Sequence, residues 1–246
     1  DSVARSWESV PNQTWCHSES KNIGLIYVKI PKTSSSTCAG INIRIARKVG
    51  ERVRGLDKDN RPKRCGHTYR HGRKALLKRR SSNILWTLLR DPAKRAISEF
   101  YHFRVSKGGV EPTETKLIDF LKKKKSHQFN YIADTSNPKV LRKKTSVPTA
   151  LNVTTKNPFQ DIREYVMDAY DFIGLLERKE ESLALMKILW GLETEDLIVL
   201  SAKQSGGYDG GGFNNTCVKI QKPDNLTDNV QQFLTSGFPS GNLDYA

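Results

Sequence analysis

Short apolar runs alternate with amphipathic stretches along most of the chain. The runs are rich in β-branched and aromatic residues and have the length of single strands, as expected of strands buried on both faces of a parallel sheet. They predict four strands, at residues 24–30, 84–89, 171–176 and 197–200. Parallel strands need long crossover connections, which are usually helical.

The stretches between these runs have helical periodicity. Ile41, Ile45 and Val49 recur every four residues and predict a helix after the first strand, followed by a charged loop over residues 50–64. Asp91 can cap a helix and Pro92 suits its first position, so another helix should begin there. Further helices are predicted near residues 117–121, 162–169 and 183–189.

This alternation predicts an α/β fold with a central parallel sheet flanked by helices on both faces. The chain has 246 residues, 37% of them hydrophobic, and we expect a single domain over 1–246. Its core should span about 24–203, with 1–22 and 221–246 as peripheral segments. In such folds ligands bind beyond the carboxyl ends of the strands.

The loop after the first strand has the composition of an anion site. It reads PKTSSST and joins a strand to a helix, whose first backbone N–H groups lack partners within the helix. Lys32 adds a positive charge, and hydroxyls add donors at Thr33, Ser34, Ser35, Ser36 and Thr37. A hydroxyl-rich turn can also be merely a helix cap.

A second polar loop follows the second predicted strand, in RDPAKRAISEFYH. Arg90 stands at the strand end and Ser98 on the following helix, where the two side chains could converge on one phosphate. The alternative is a structural ion pair between Arg90 and Asp91, with Ser98 as an ordinary helix residue.

These two loops resemble the motifs of sulfotransferases that use 3′-phosphoadenosine-5′-phosphosulfate (PAPS). PKTSSST is similar to their 5′-phosphosulfate loop, and RDPAKRAIS to their 3′-phosphate motif R-D-P-x-x-R-x-x-S. YDFIGLLERKEESL, at 170–183, also resembles the Golgi branch that includes the heparan sulfate and uronyl 2-O-sulfotransferases. The resemblance runs from about residue 24 to residue 203.

The resemblance implies a P-loop-like sulfotransferase fold and transfer of a sulfuryl group from PAPS to a hydroxyl, with a glycan as the expected acceptor and no metal. Lys32 would contact the phosphosulfate bridge, residues 33–37 would hold the 5′-phosphate, and Arg90 with Ser98 would bind the 3′-phosphate. A glycine-rich stretch at 206–212 does not match a motif of the family.

The acceptor hydroxyl needs a general base, and histidine is best tuned for this near neutral pH. His67 is the favoured candidate, because Gly66–His67 resembles the G-H element that supplies the catalytic histidine of the 2-O-sulfotransferases. His71 and Glu99 are held in reserve, and His102 is expected to be structural. Several cations surround His67 and would favour an anionic acceptor, or form a solvated basic loop: Arg61, Lys63, Arg64, Arg70 and Arg73.

The formal net charge of +15 indicates an anionic ligand but does not choose one. A P-loop kinase or ATPase is one alternative, although the first loop lacks the GxxxxGK[ST] pattern. The other is a non-catalytic module that binds a heparin-like glycan or nucleic acid. Nucleic acid is not expected, because aromatic residues are not interleaved with the basic runs.

The cysteines and glycosylation sequons bear on the compartment. Cys16, Cys38, Cys65 and Cys217 allow three full pairings, and Cys16 with Cys217 is the expected bridge, whereas Cys38 and Cys65 could equally be buried thiols. Four N-x-[ST] sequons begin at Asn12, Asn152, Asn214 and Asn225. With the resemblance, they predict the lumenal part of a type II Golgi membrane protein whose anchor lies upstream of this sequence.

Overall fold

A four-stranded sheet organises the described part of the chain. The computed structural model describes residues 14–16, 24–72, 75, 83–123, 128–133, 166, 169–198 and 226–237. Its strands are β1 (Gly24–Lys29), β2 (Gly66–His71), β3 (Ile84–Leu89) and β4 (Phe172–Leu175). All neighbours pair in parallel, in the order β2-β1-β3-β4, which confirms the predicted α/β class with a parallel sheet.

Three of the strands match the apolar runs, but β2 was not predicted. Its sequence, GHTYRH, is polar and only partly buried, because among the described strands it pairs with β1 alone. The prediction of a strand at 197–200 is wrong for its first residue, because Leu197 is the last residue of a short helix stabilised by a capping box. Residues 199 and 200 lie outside the described residues.

The helices largely follow the predicted periodicity. The first begins earlier and ends later than expected, so residues 50–54 of the predicted loop are helical. Of the helix predicted near 162–169, only residues 166 and 169 are described, and both are helical. The described α-helices are α1 (Ser35–Arg54), α2 (Pro92–Glu99), α3 (Glu114–Lys123), α4 (Gln128–Ala133), α5 (Lys179–Trp190), α6 (Thr194–Leu197) and α7 (Asp228–Gln232). None of them is long and apolar enough to cross a membrane.

Helices cover both faces of the sheet. On one face, Ile45 of α1 and Trp190 of α5 join the cluster that contains Tyr27 and Trp86. On the other face, Ile132 of α4 packs in the cluster that contains Val28 and Leu85 of β1 and β3. A further cluster joins α2, α3 and α7 with the π-helical turn Phe100–Ser106, in which Phe100 and Tyr101 are buried.

A buried amide fixes α1 over the sheet. Asn42 is fully buried, and its Oδ1 accepts a hydrogen bond of 2.8 Å from Trp86 Nε1. Its Nδ2 donates to the Thr68 carbonyl at 3.2 Å. Because these partners lie on β3 and β2, the amide sets the rotation of α1 about its axis, and with it the placement of its first turn.

The disulfide differs from the expected pairing. Cys16 is bonded to Cys65, so a Cys16–Cys217 bridge is wrong. Cys16 follows Trp15 into the cluster beneath α1, which brings it to Cys65 at the start of β2. Cys38 is a buried free thiol, and burial raises its pKa to about 11. Cys217 lies outside the described residues.

A second long-range contact fastens the far end of α1. The carboxylate of Asp196 is fully buried, and it accepts hydrogen bonds from Arg52 Nη1 at 2.8 Å and Arg52 Nη2 at 2.6 Å. Its Oδ2 also accepts from the Glu193 amide at 2.9 Å. These bonds to Asp196 are the largest cause that raises the pKa of Arg52.

Replacing Arg52 with Met should destabilise the protein by about 2 kcal/mol, because it leaves the buried Asp196 carboxylate without its cation. The loss is smaller than for a fully buried ion pair, because Arg52 itself is partly exposed. Lys48→Met on the same helix is the matched control. Lys48 faces Glu51 at 3.6 Å with both side chains 40% exposed, so its loss should cost about 0.5 kcal/mol or less. Urea unfolding measures the free energy of unfolding of both variants. Equal losses would contradict the stabilising role of the Arg52–Asp196 ion pair.

Candidate functional site

The turn after β1 exposes the amino end of α1. Lys32 and Ser34 both have left-handed backbones, with φ of 70° and 57°, a conformation uncommon outside glycine. Ser34 precedes the helix, and its hydroxyl makes no capping hydrogen bond. The first helical backbone bond runs from Cys38 N–H to Ser34 O at 3.0 Å. The amides of residues 35–37 therefore have no acceptor within the helix, and the positive end of its dipole lies in this turn.

The hydroxyls of this turn do not have equal access to a ligand. Thr33 is fully buried, and its Oγ1 donates to the Ile30 carbonyl at 2.9 Å, so its proton stabilises the turn itself. Thr37 is also buried, whereas Ser34 and Ser35 are half-buried and Ser36 is exposed. Ser34, Ser35 and Ser36 are thus the predicted hydroxyl donors that remain near the surface.

The turn after β3 meets the turn after β1. Arg90 Nη1 donates to the Lys32 carbonyl at 3.0 Å, although 58 residues separate the two along the chain. β1 and β3 are neighbours in parallel register, so both turns leave the same edge of the sheet. The Arg90 side chain is partly buried, with 23% of its surface exposed, and this burial lowers its pKa. An arginine stays charged even so, because its ordinary pKa lies far above neutral pH.

Asp91 caps a helix instead of pairing with Arg90. Its Oδ1 accepts from the Lys94 amide at 2.7 Å, and Pro92 begins α2, both as predicted. The carboxylate near Arg90 belongs to Glu177, whose Oε1 lies 4.0 Å from Arg90 Nε and accepts from the Asp91 amide at 3.1 Å. Sequence reasoning missed Glu177, although it closely follows the apolar run of β4.

Ser98 lies on the buried side of α2, with Arg95 and Ala96. Ser98 stands six residues after Pro92, which places it about 9 Å along the helix axis from the first residue of α2. Arg95 is 2% exposed and donates from Nη1 to Glu99 Oε2 at 3.0 Å. Glu99, a reserve candidate for the base, is therefore held in an ion pair with a buried arginine.

The two histidines of β2 lie toward opposite ends of the strand. His67 is paired with Leu25, near the amino end of β1, and its Nδ1 lies 3.1 Å from the Cys65 carbonyl. His71 is paired with Lys29, the last residue of β1. Four residues of strand separate them, about 13 Å. The structure thus brings His71, and not His67, to the edge that holds Lys32 and Arg90.

Helix α4 contacts the end of β2 and the turn that follows it. The ring of Tyr131 lies 6.3 Å from the ring of His71, and a Cβ atom at Gly72 would approach Tyr131 Cδ1 to 2.9 Å. Gly72 has φ of 44°, so a glycine suits this turn on both counts. Burial is the main cause that raises the pKa of Tyr131.

The basic residues around His67 are divided between the two edges. Arg61, Lys63 and Arg64 lead into the amino end of β2, away from the turns after β1 and β3. Arg70 precedes His71 and is exposed. Arg73 and the glycine-rich stretch at 206–212 lie outside the described residues, as do the sequons of Asn12, Asn152, Asn214 and Asn225.

The carboxyl edge therefore presents His71, the Lys32 turn, Arg90 and Glu177 in the order of the strands that precede them. From β1 the chain passes through α1 to β2, whereas β3 is followed by β4 on the other side. In parallel sheets of this kind, ligands bind in a crevice at the strand ends where the connections diverge in this way. The chain matches no protein-family model, no curated protein and no solved structure.

Proposed function

We propose that the protein is a PAPS-dependent O-sulfotransferase whose nucleotide lies across the turns after β1 and β3. The observation that carries the proposal is the 3.0 Å hydrogen bond between Arg90 Nη1 and the Lys32 carbonyl. The two segments that resemble the phosphate motifs of the family are in contact, although nothing local in the sequence requires it. One nucleotide with phosphates at both ends can therefore span them.

Each end of this crevice suits one phosphate. The unpaired amides at the start of α1, with Lys32 and Ser36, offer donors and positive charge to the 5′-phosphosulfate. The guanidinium of Arg90 offers a planar pair of donors to the 3′-phosphate. Its partial burial strengthens that attraction, since charges interact more strongly where water is excluded.

The transfer needs electrostatic stabilisation and a proton acceptor. PAPS supplies the sulfuryl group: the acceptor oxygen bonds to sulfur as the bond from sulfur to the bridging phosphate oxygen breaks, leaving its electron pair on the phosphate. Lys32 and the α1 amides stabilise the negative charge that grows there, and by analogy with oxyanion sites one such donor is worth about 3–4 kcal/mol. The proton of the acceptor hydroxyl passes to a base of the protein.

We propose His71 as this base, in place of the His67 favoured by sequence. His71 is exposed at the end of β2, and the phosphate turn leaves the neighbouring strand. An acceptor hydroxyl in line with the sulfur would lie at this edge. A base must come within hydrogen-bond distance of the proton it removes, and His67 lies several residues away along the strand.

We further propose a lumenal protein that acts on a glycan. The Cys16–Cys65 disulfide supports the compartment, because disulfides persist mainly in oxidising environments. The high net charge supports an anionic acceptor. The glycan acceptor rests on the resemblance alone.

Thermal denaturation with three ligands tests the nucleotide assignment. Adenosine 3′,5′-bisphosphate should raise the melting temperature without Mg²⁺, because it binds the folded state alone. Stabilisation only by ATP with Mg²⁺ would indicate a kinase or ATPase instead. Stabilisation only by heparin, weakened by salt, would indicate a polyanion-binding module. Either of the last two outcomes contradicts the proposal.

Turnover of labelled PAPS with a panel of glycan acceptors tests the base. His71→Ala should lower kcat by about 10³-fold while the Kd for adenosine 3′,5′-bisphosphate stays unchanged, because general-base catalysis contributes in this range. His67→Ala is the matched control on the same strand and should leave kcat near the wild-type value. The reverse result would return the role to His67.

A further inference from the structure

Gln128 forms a reciprocal hydrogen-bonded pair with the backbone of Arg90. Its Oε1 accepts from the Arg90 amide at 3.0 Å, and its Nε2 donates to the Arg90 carbonyl at 2.9 Å. Gln128 is only 5% exposed and is the first residue of α4. The pair thus ties a helix to a single residue of the turn after β3, 38 positions earlier in the chain.

This pairing controls where the Arg90 side chain points. The amide nitrogen and the carbonyl flank the Cα atom, so fixing both leaves the Cα–Cβ direction little freedom. From that anchored backbone the guanidinium reaches the Lys32 carbonyl at 3.0 Å. Without Gln128, the partly buried N–H and C=O of Arg90 would lose their partners, and the turn would rearrange to satisfy them.

The same helix also rests on the other side of the site. Tyr131, three residues after Gln128, lies beside His71 and Gly72. Residues spaced by three lie on neighbouring positions of one helical face. Ile132 is buried in the cluster beneath β1 and β3, which fastens α4 to the sheet. Helix α4 is therefore anchored between the turn of Arg90 and the turn of His71.

We infer that Gln128 is a positioning residue for the nucleotide, which aims Arg90 at the 3′-phosphate without touching the ligand itself. The inference rests on the proposed function, because it takes the ligand of Arg90 to be that phosphate. It adds a role that the motif RDPAKRAIS does not contain. A glutamine that only stabilised the fold would affect all nucleotides alike, whereas a positioning residue affects the 3′-phosphate alone.

The test compares two ligands, adenosine 3′,5′-bisphosphate and adenosine 5′-monophosphate, by isothermal titration calorimetry. In the wild-type protein the bisphosphate should bind at least about tenfold more tightly, as expected for charge-assisted hydrogen bonds. Arg90→Ala should abolish this preference. Gln128→Met, of similar length but without hydrogen-bonding atoms, should reduce the preference by about tenfold and leave the Kd for the monophosphate unchanged.

Two further variants keep the outcome interpretable. Gln128→Glu preserves the shape of the side chain and the acceptor for the Arg90 amide, but it loses the donor. It should therefore also lower the preference for the bisphosphate, and it replaces Gln128→Met in the test if that variant does not fold. Ser182→Ala is the matched control, because at the end of β4 the Ser182 Oγ accepts from the Leu175 amide at 3.0 Å and donates to the Leu175 carbonyl at 3.2 Å. It should lower the melting temperature and retain the preference.

The outcomes separate the two hypotheses. If the wild-type protein shows no preference for the bisphosphate, the proposed function fails and the inference fails with it. If the wild-type preference is present and Arg90→Ala removes it, but the Gln128 variants keep it, the positioning role alone is overturned. An equal loss of affinity for both nucleotides in the Gln128 variants would also overturn it, since that result indicates a purely structural residue.

Discussion

The site depends on the contact between a guanidinium and a carbonyl at the edge of a parallel sheet. Arg90 donates to the Lys32 carbonyl because β1 and β3 are paired in parallel, so that both strands end at the same edge. An antiparallel pairing of the same strands would send the two turns to opposite edges. The shared direction of the two strands places the start of α1 beside a partly buried arginine.

The rest of the fold holds this edge in place. Asn42 fixes α1 to β2 and β3, and the Arg52–Asp196 ion pair fastens the end of that helix to α6. The left-handed backbones at Lys32 and Ser34 then turn the chain from β1 into α1. On the other face, α4 supports the turn of Arg90 through Gln128. Each contact joins distant parts of the chain, so the site is a product of the tertiary structure.

Local signals in the sequence predicted local features well. GLIYVK and ILWTLL are apolar apart from Lys29 and Thr87, which identifies strands covered on both faces, and Asp91 with Pro92 marks a helix start. β2 was missed because, among the described strands, it pairs with β1 alone and needs less apolar surface, and its polar residues resemble those of a loop. The sequence-based choice of His67 as base could not use the register of β2 against β1, which places His71 and not His67 at the edge of the turns. Glu177, Gln128 and the Cys16–Cys65 bridge could not be predicted, because each depends on pairing between remote segments.

The central claim is that the turns after β1 and β3 bind the two ends of one nucleotide. A crystal structure of the protein with adenosine 3′,5′-bisphosphate tests it most directly. The account predicts the 5′-phosphate on the amides at the start of α1 and the 3′-phosphate on the guanidinium of Arg90, within a single molecule. A nucleotide bound elsewhere on the protein, or one that contacts only one of the two turns, would contradict it.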